Sequence, residues 1–295
     1  MASSNEKRRE VEDEREGRRP SGSALRVDYH CHISMMEYAD PEHPTVVSVS
    51  REEFLADLDA AGFDMAVVLS DSRTTPEMVS TFVSQAPDRF IGFGYVNPLR
   101  RDAPESVLRQ RHELGLFGLK LYPTVDGYRA DDPRAFRVYE AAVGIDMPVL
   151  FHQAGMPEPH DLLRHTDPEQ IDVVASCFPR LRIVLAHLGY PRVEETLYVA
   201  RKHRNVWCDL SWPYGDINHP SYRYLLWRDL LVALNLGVLG RIVFGTDYPG
   251  VRQKPYVELL MSVNRYAAHP DLRIPEDRLA AILGENARPL LPEKR

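Results

Sequence analysis

The chain has 295 residues, with 36 Lys and Arg against 43 Asp and Glu and a formal net charge of −7. This mildly acidic balance argues against nucleic acid as a partner, and no apolar run approaches the roughly 20 residues that a membrane helix needs. The three cysteines are scattered and form no CxxC pair, which suits a reducing cytoplasm better than a disulfide scaffold. We therefore expect a cytoplasmic globular protein that binds neither nucleic acid nor membrane.

The first 24 residues differ in composition from the rest of the chain. Nearly every residue from Glu6 to Arg19 is charged, and a Pro-Ser-Gly-Ser run follows at 20–23. A segment of this kind cannot bury enough apolar surface to offset the entropy of ordering it. We predict a charged, disordered tail over residues 1–24 and a single domain over residues 25–295.

Beyond the tail, short runs rich in Val, Ile, Leu and Phe alternate with longer amphipathic stretches. Strands and helices that alternate in this way are typical of parallel βαβ units. Eight such units over about 270 residues match a single (β/α)8 TIM barrel, whereas an open doubly wound sheet usually carries a glycine-rich loop after its first strand. The predicted strands are Leu25–Ile33, Met65–Leu69, Phe90–Val96, Phe117–Tyr122, Pro148–Phe151, Ile183–Leu188, Val206–Leu210 and Ile242–Phe244.

Several helices have recognisable start signals. Ser50-Arg51-Glu52-Glu53 is a capping box, and Thr75, Asp132 and Asp167 each precede a proline at a predicted first helical position. Later helices are predicted over Val193–His203, Tyr222–Leu236 and Tyr256–Ala267. One of them is unusually apolar and either packs on the barrel or contacts a second copy of the chain, which leaves a homodimer open. Its apolar residues are Leu225, Leu226, Trp227, Leu230 and Leu231.

Four of the eleven histidines fall at the carboxyl ends of predicted strands. These are His30 and His32 on the first strand, His152 on the fifth and His187 on the sixth, while Asp247 ends the eighth. In a barrel these ends meet at one mouth, and His30 and His32 point the same way because side chains alternate along a strand. Imidazole nitrogens and a carboxylate oxygen are the ligands of hydrolytic zinc sites. The pattern predicts a metal site at the C-terminal mouth.

The fourth strand adds Lys120 to the same end. If Lys120 and the five candidate ligands face the barrel axis, the alternate residues must face the helices. All of those residues are compatible with packing under a helix layer. They are Val27, Tyr29, Cys31, Leu119, Leu121, Val149, Phe151, Val184, Ala186, Ile242 and Phe244.

Taken together, these motifs resemble the amidohydrolase superfamily, and most closely the amidohydrolase-related branch that contains the aminocarboxymuconate semialdehyde decarboxylases. The resemblance runs from about Val27 to Pro292. It rests on Asp28-x-His30-x-His32, Arg89-Phe90-Ile91-Gly92, Asn97-Pro98, Gly115-Leu116-Phe117-Gly118, His152, Ala186-His187-Leu188-Gly189, Gly245-Thr246-Asp247-Tyr248-Pro249 and Gly284-Glu285-Asn286-Ala287.

The resemblance implies one divalent ion, usually Zn²⁺, held by His30, His32, His152 and Asp247. It makes His187 either an acid/base beside the bound water or a ligand of a second ion. Lys120 departs from the decarboxylase branch, where a neutral residue stands. In binuclear amidohydrolases a carboxylated lysine on this strand bridges two metals, so Lys120 keeps a second ion open. Otherwise Lys120 pairs with Asp247 or another acid, or holds a substrate carboxylate.

We predict a metal-dependent hydrolase that attacks a small carboxylated or cyclic substrate through a metal-activated water. Asp247 would take the proton of that water and pass it to the leaving group, and His187 would polarise the reacting carbonyl. Two alternatives are a non-oxidative decarboxylase of the same family and a non-catalytic barrel that binds a metal or a metabolite. The candidate substrate contacts are Tyr122, Tyr190, Trp212, Tyr248 and Arg252, with Tyr214, Arg73, Arg192 and Lys254 also near strand ends.

Overall fold

The computed structural model describes residues 24–37, 45–155 and 161–293. The predicted tail lies outside these residues, except for Ala24. The described strands are β1 Val27–Cys31, β2 Ser34–Glu37, β3 Thr45–Ser48, β4 Met65–Leu69, β5 Phe90–Tyr95, β6 Gly118–Leu121, β7 Val149–Phe151, β8 Ile183–Leu185, β9 Val206–Asp209 and β10 Ile242–Val243.

Eight of these strands form one parallel sheet in the order β1-β4-β5-β6-β7-β8-β9-β10. A parallel bridge between Cys31 and Tyr248 joins its two edges, and Tyr29 N donates to Phe244 O at 2.8 Å. The sheet therefore curls into the predicted TIM barrel. The remaining strands, β2 and β3, form a separate antiparallel pair after β1 that the sequence did not predict.

Helices follow the barrel strands along the chain, as the predicted βαβ rhythm requires. They are α1 Arg51–Ala61, α2 Pro76–Ser84, α3 Ala103–His112, α4 Pro123–Asp126, α5 Phe136–Gly144, α6 Pro168–Cys177, α7 Val193–Lys202, α8 Pro220–Leu236, α9 Gln253–Met261 and α10 Glu276–Ile282. Within the described ranges, none of these helices combines the length and the apolar character needed to cross a membrane.

Three of the four predicted helix caps are confirmed. Ser50 forms the complete capping box with Glu53, and the side chains of Thr75 and Asp167 accept from backbone N–H groups in the first turns of α2 and α6. The prediction at Asp132 is wrong. The Asp132 carboxylate accepts from Arg134 N at 2.9 Å, which is typical of a turn, and α5 begins at Phe136.

Apolar side chains from most of the barrel strands fill the barrel interior below the mouth. They meet Ala287 and Leu290 of the C-terminal 3₁₀ segment Glu285–Leu290, and Tyr29 Oη donates to Leu290 O at 3.1 Å. This segment closes the end of the barrel opposite the carboxyl ends of the strands. The buried interior residues are Val27, Tyr29, Val67, Leu69, Ile91, Phe93, Phe117, Leu150, Val184, Ala186 and Val243.

Four side chains face the interior although the sequence placed them under the helices. Val27 and Tyr29 point inward because β1 contains a bulge between Asp28 and Cys31, where the pairing with β4 gains one extra residue; such an insertion reverses the alternation beyond it. Val184 and Ala186 also point inward. Their predicted facing assumed one strand that alternates regularly as far as His187, whereas β8 ends at Leu185 and His187 lies in a turn with a left-handed backbone. The other predicted outward residues lie between the strands and the helices, as expected. We call this layer the outer core.

The apolar helix predicted as a packing or dimer surface is α8. Leu226 and Leu230 are buried in the outer core, and Leu225, Trp227 and Leu231 are half-buried. Trp227 Nε1 donates to Leu272 O at 3.1 Å. Packing on the barrel accounts for the two buried leucines.

Candidate metal centre

Three of the predicted ligands converge at the mouth of the barrel. One donor atom from each of His30, His32 and Asp247 lies within 4.8 Å of the other two. Asp247 Oδ1 is 3.3 Å from His30 Nε2 and 3.4 Å from His32 Nε2. Two imidazoles and a carboxylate with this separation can hold one divalent ion.

The closure of the barrel brings the first and last strands together at this point. Asp247 N donates to His30 O at 2.9 Å, and His32 N donates to Tyr248 O at 2.7 Å. Asp247 has a left-handed backbone with φ of 62°, which is uncommon for a residue other than glycine. The neighbouring Thr246 fixes this turn, since its N and Oγ1 donate to the buried Asp28 at 3.0 and 2.6 Å.

His152 and His187 lie beside this cluster and line the same cavity. His187 Nδ1 lies 2.5 Å from Ser211 O, so that nitrogen carries the proton and Nε2 of the neutral ring is an acceptor. His152 Nδ1 is 3.1 Å from His187 Nε2 and donates to it. The remaining lone pair of His152 is on Nε2, a buried atom that has no partner among the described residues.

His187 reaches the mouth by a route that the sequence did not predict. The residue lies beyond the end of β8 in a 3₁₀ turn, Ala186–Gly189, with a left-handed backbone of φ 59°. Its N donates to Asp209 Oδ1 at 2.9 Å. This turn returns the imidazole to the barrel axis after Ala186 has already pointed inward.

Asp209 and Ser211 are buried residues of the site that the sequence analysis missed. His30 Nδ1 donates to Asp209 Oδ2 at 2.8 Å, and Ser211 Oγ lies 2.9 Å from His30 Nδ1 and 3.0 Å from His187 Nδ1. Because Asp209 binds Nδ1 of His30, it orients Nε2 of that ring toward Asp247. Asp209 lies at the end of predicted strand Val206–Leu210, so the rule that found the histidines could have found it.

The site favours neutral imidazoles at His30, His152 and His187 and an ionised carboxylate at Asp247. Burial lowers the pKa of His30 to about 3 and lowers the pKa of His152 and His187 as well. Burial alone would raise the pKa of Asp247, but His30, His32 and His187 outweigh it and hold the pKa well below the usual value. Neutral imidazole and ionised carboxylate are the forms that bind a metal ion.

Lys120 lies in the same cluster and is fully buried. Its Nζ is 3.2 Å from His30 Nε2 and 5.1 Å from the centre of the Tyr122 ring. Burial lowers the pKa of Lys120 to about 8, although Asp209 and Asp247 favour its charge. The structure places no carboxylate within 4 Å of Nζ among the described residues, so the predicted close ion pair with Asp247 is not formed.

The donor set satisfies a direct test of fit to a divalent ion. His152 Nε2 and His32 Nδ1 are buried side-chain atoms without a hydrogen-bond partner in the described structure. A buried polar group without a partner costs free energy, and binding a metal at His152 would satisfy its lone pair. The residues at this mouth fit the ion that the resemblance implies.

A cavity of about 590 Å³ opens above these residues. Three of the five predicted substrate contacts line it, namely Tyr122, Tyr190 and Trp212, and so do Tyr214 and Arg73. Arg73 is exposed at the rim.

Tyr248 and Arg252 are not among the described residues that line the cavity. Tyr248 stacks on Phe54 with ring centres 4.3 Å apart and donates from Oη to Asp57 Oδ2 at 2.8 Å. Arg252 also pairs with Asp57. Through these contacts the two side chains join α1 to the loop after β10 instead of facing the cavity. Arg192 and Lys254 are likewise absent from the described lining.

Comparison with known proteins identifies the family. A family model described as Amidohydrolase matches residues 27–292. The chain belongs to this family. The predicted superfamily is therefore confirmed, and the chain is an enzyme of the amidohydrolase type, a metal-dependent class.

The individual proteins that resemble this chain share 26% or less of its sequence in the matches described below. The chain is 26% identical over 219 residues to 2-amino-3-carboxymuconate-6-semialdehyde decarboxylase of Dictyostelium discoideum, a match that covers 63% of this chain and only 56% of that relative. An uncharacterised TIM-barrel protein from Bordetella bronchiseptica superposes with a TM-score of 0.61 at 25% identity and 82% coverage of both chains. A structure described as a probable 2-pyrone-4,6-dicarboxylic acid hydrolase from Acinetobacter baumannii gives 0.67 at 16% identity, covering 90% of this chain and 99% of that one.

Proposed function

We propose that this protein is a metal-dependent hydrolase that acts on a small, cyclic, carboxylated substrate. The observation that carries the proposal is the convergence of His30, His32 and Asp247 within 4.8 Å at the floor of a cavity lined by aromatic rings and two cations. Family membership favours an enzyme over the alternative of a barrel that only binds a metal or a metabolite.

His30, His32, His152 and Asp247 would hold one divalent ion, and we propose Zn²⁺ because imidazole ligands predominate. A bound ion of this kind lowers the pKa of a bound water and polarises an oxygen of the substrate. We place His187 outside the ligand set, because its Nε2 already accepts from His152. A second ion would require carboxylated Lys120, and metal analysis of the purified protein together with its intact mass decides between one ion and two.

Asp247 and His187 would move the protons. Asp247 is held in its ionised form, so it can accept a proton from the attacking water. Neutral His187 has no proton on Nε2 because Ser211 O binds the proton on Nδ1. Proton uptake by His187 at Nε2 would replace the hydrogen bond that this atom accepts from His152, and polarisation of the reacting carbonyl by His187 would require the protonated ring.

The substrate would lie between the rings and the cations of the cavity. Tyr122 stacks near His152 with ring centres 5.7 Å apart, and Trp212 supplies a second planar wall. Arg73 at the rim and Lys120 at the floor can each attract a carboxylate. Flat aromatic walls, with Arg73 at the rim and Lys120 at the floor, favour a planar carboxylate over a neutral or flexible substrate.

Decarboxylation is a second candidate reaction. It is favoured by the 26%-identical relative, which is described as a decarboxylase. In that reaction the cavity would bind the same kind of planar carboxylate, and a proton would be delivered to the carbon that loses CO₂.

One experiment separates the two reactions. The purified protein, loaded with Zn²⁺ or Mn²⁺, is incubated with cyclic carboxylates and lactones in H₂¹⁸O. Incorporation of ¹⁸O into a ring-opened or cleaved product without CO₂ release supports the hydrolase, whereas CO₂ release with solvent deuterium on the product carbon supports the decarboxylase. Undiminished turnover after chelation and removal of the metal would contradict both proposals.

We also propose a cytoplasmic location and a homodimer. Cys31, Cys177 and Cys208 are all free, which agrees with a reducing compartment. Exposed Tyr198 on α7 and Tyr224 on α8, beside half-buried Leu231, offer a surface for a second copy. Light scattering during gel filtration tests the dimer, and a purely monomeric protein at micromolar concentration would contradict it.

A further inference from the structure

The loop after β10 brings Gly250 against two side chains of the cavity wall. A Cβ atom at Gly250 would lie 2.8 Å from Trp212 Cζ3 and 3.0 Å from Met35 Sδ. Both distances are shorter than the roughly 3.5–4.0 Å of a favourable carbon contact. Trp212 and Met35 both line the cavity. Their side chains can occupy their present positions because Gly250 has no side chain.

The backbone behind Gly250 has little freedom to retreat. Gly250 N donates to Asp247 O at 3.0 Å, and Tyr248 O accepts from His32 N at 2.7 Å. Tyr248 also forms the bridge to Cys31 that closes the barrel. An added methyl group would therefore displace the indole and the thioether rather than the loop.

Gly250 is not required by the backbone conformation. It is absent from the glycines with positive φ among the described residues, so an alanine can adopt the same dihedral angles. Trp212 is held on its other side, where its Nε1 donates to Gly215 O. An alanine at position 250 consequently changes the space for Trp212 and Met35 without straining its own backbone.

We propose that Gly250 is a specificity-determining residue that sets the width of the cavity and admits ligands with wider ring systems. A methyl group at this position pushes the indole edge and the thioether toward the ligand. Ligands with one ring still fit, while those with two fused rings meet the displaced wall. The class of ligand rests on the proposed function, but the proposal does not depend on which reaction occurs.

The test compares Gly250→Ala with wild type by calorimetric binding of two probes, benzoate and 2-naphthoate, to the metal-loaded protein. We expect the Kd of 2-naphthoate to rise about tenfold in the variant, the size of effect that one methyl group causes in an apolar site. The Kd of benzoate should stay within twofold. Gly240→Ala is the matched control, since a Cβ at Gly240 meets nothing within 4 Å, and it should change neither Kd.

A second arm identifies Trp212 as the residue that responds. In a Trp212→Phe background the smaller ring relieves the closer of the two contacts, so Gly250→Ala should change the ratio of the two Kd values less, through Met35 alone. Crystal structures of wild type and Gly250→Ala should show the indole displaced toward the cavity, whether or not a probe is bound.

Two results would overturn the inference: an unchanged ratio of Kd values in Gly250→Ala, or crystal structures in which the loop moves and the indole stays in place. A wild-type protein that binds both probes but converts no candidate substrate contradicts the proposed reaction and leaves the role of Gly250 intact. Failure of one proposal is thereby distinguished from failure of the other.

Discussion

The two ends of the barrel interior are built from opposite kinds of side chain. At the base, apolar residues such as Val67, Phe93 and Leu290 are buried against one another. At the mouth, the buried groups include four imidazoles together with Lys120 and Asp209; the imidazoles are those of His30, His32, His152 and His187. The same eight strands supply both ends, so the difference lies in which residues follow one another along each strand.

The base of the barrel contributes mainly to stability, whereas the mouth carries the groups that can perform chemistry. Apolar burial at the base stabilises the fold by about 25 cal/mol for each Å² removed from water, whereas each buried ionisable group at the mouth costs free energy unless it is paired. Hydrogen bonds among several of the mouth groups offset part of that cost, and burial lowers the pKa values of three of the histidines and of Lys120. Strongly shifted groups clustered in a cleft are characteristic of functional sites. If the two ends are independent, substitutions at the mouth should change turnover and metal affinity, and substitutions at the base should change the free energy of unfolding.

The largest effect should follow from Asp247→Asn at the mouth. The amide keeps the shape of the side chain but removes the negative charge that faces His30 Nε2 and His32 Nε2. We expect turnover to fall by about 10²–10⁴-fold and metal occupancy to fall with it, while the free energy of unfolding of the metal-free protein does not decrease. Steady-state kinetics, metal analysis and urea unfolding measure the three quantities. Turnover within tenfold of wild type would show that Asp247 is not the proton acceptor.

The largest effect at the base should follow from Leu290→Ala. Leu290 is fully buried in the segment that closes the barrel, and truncation of a buried leucine costs about 2–5 kcal/mol. We expect urea unfolding to show a loss of this size, with kcat/KM of the folded enzyme within twofold of wild type. A large loss of activity in a fully folded sample would mean that the base also controls the geometry of the mouth.

Asp209→Asn should weaken the site by an intermediate amount. The amide cannot accept from His30 Nδ1 and Ser211 as the carboxylate does, so the His30 ring loses its orientation. Loss of such a partner behind a metal-ligating histidine typically costs about 10–100-fold in metal affinity or activity. Competition with a chromogenic chelator measures the affinity.

The matched control for Asp209→Asn is Asp172→Asn. Asp172 also binds a histidine, with Oδ1 2.5 Å from His203 Nε2, but it lies on α6 at the outside of the barrel. Its substitution should leave metal affinity unchanged. Equal losses in both variants would indicate a general effect of destabilisation and would remove Asp209 from the site.

Local patterns in the sequence were sufficient for the architecture and for the candidate ligands. Strand β4, Met65–Leu69, has its predicted bounds because its apolar run is flanked by the polar residues Asp64 and Ser70, which mark both ends of the strand. The ligands were predictable because carboxyl ends of barrel strands share one mouth. Asp209 obeys the same rule, but it is an acid beside Cys208, and a pattern of histidines at strand ends does not single it out.

Some side chains lie elsewhere than the sequence predicts, because their positions depend on features that local sequence patterns do not encode. A single extra residue in β1 reverses the facing of Val27 and Tyr29, and no residue type in that run marks a bulge. The position of Tyr248 directly after Asp247 predicts a side chain at the mouth. Its actual partner, Asp57, lies 191 positions away in the chain, and only the tertiary structure brings α1 to the loop that carries Asp247.

The smallest effect should come from Tyr29→Phe, which removes one hydroxyl from the base. Tyr29 Oη donates to Leu290 O at 3.1 Å, and both groups are buried. Loss of one such hydrogen bond costs about 1 kcal/mol, so urea unfolding should show a decrease near that value. Tyr29 precedes the candidate ligand His30 directly, yet the β1 bulge turns the two side chains to different levels of the barrel. We therefore expect metal affinity and kcat/KM to be unchanged, and a loss of metal affinity in this variant would show that the bulge couples the base to the mouth.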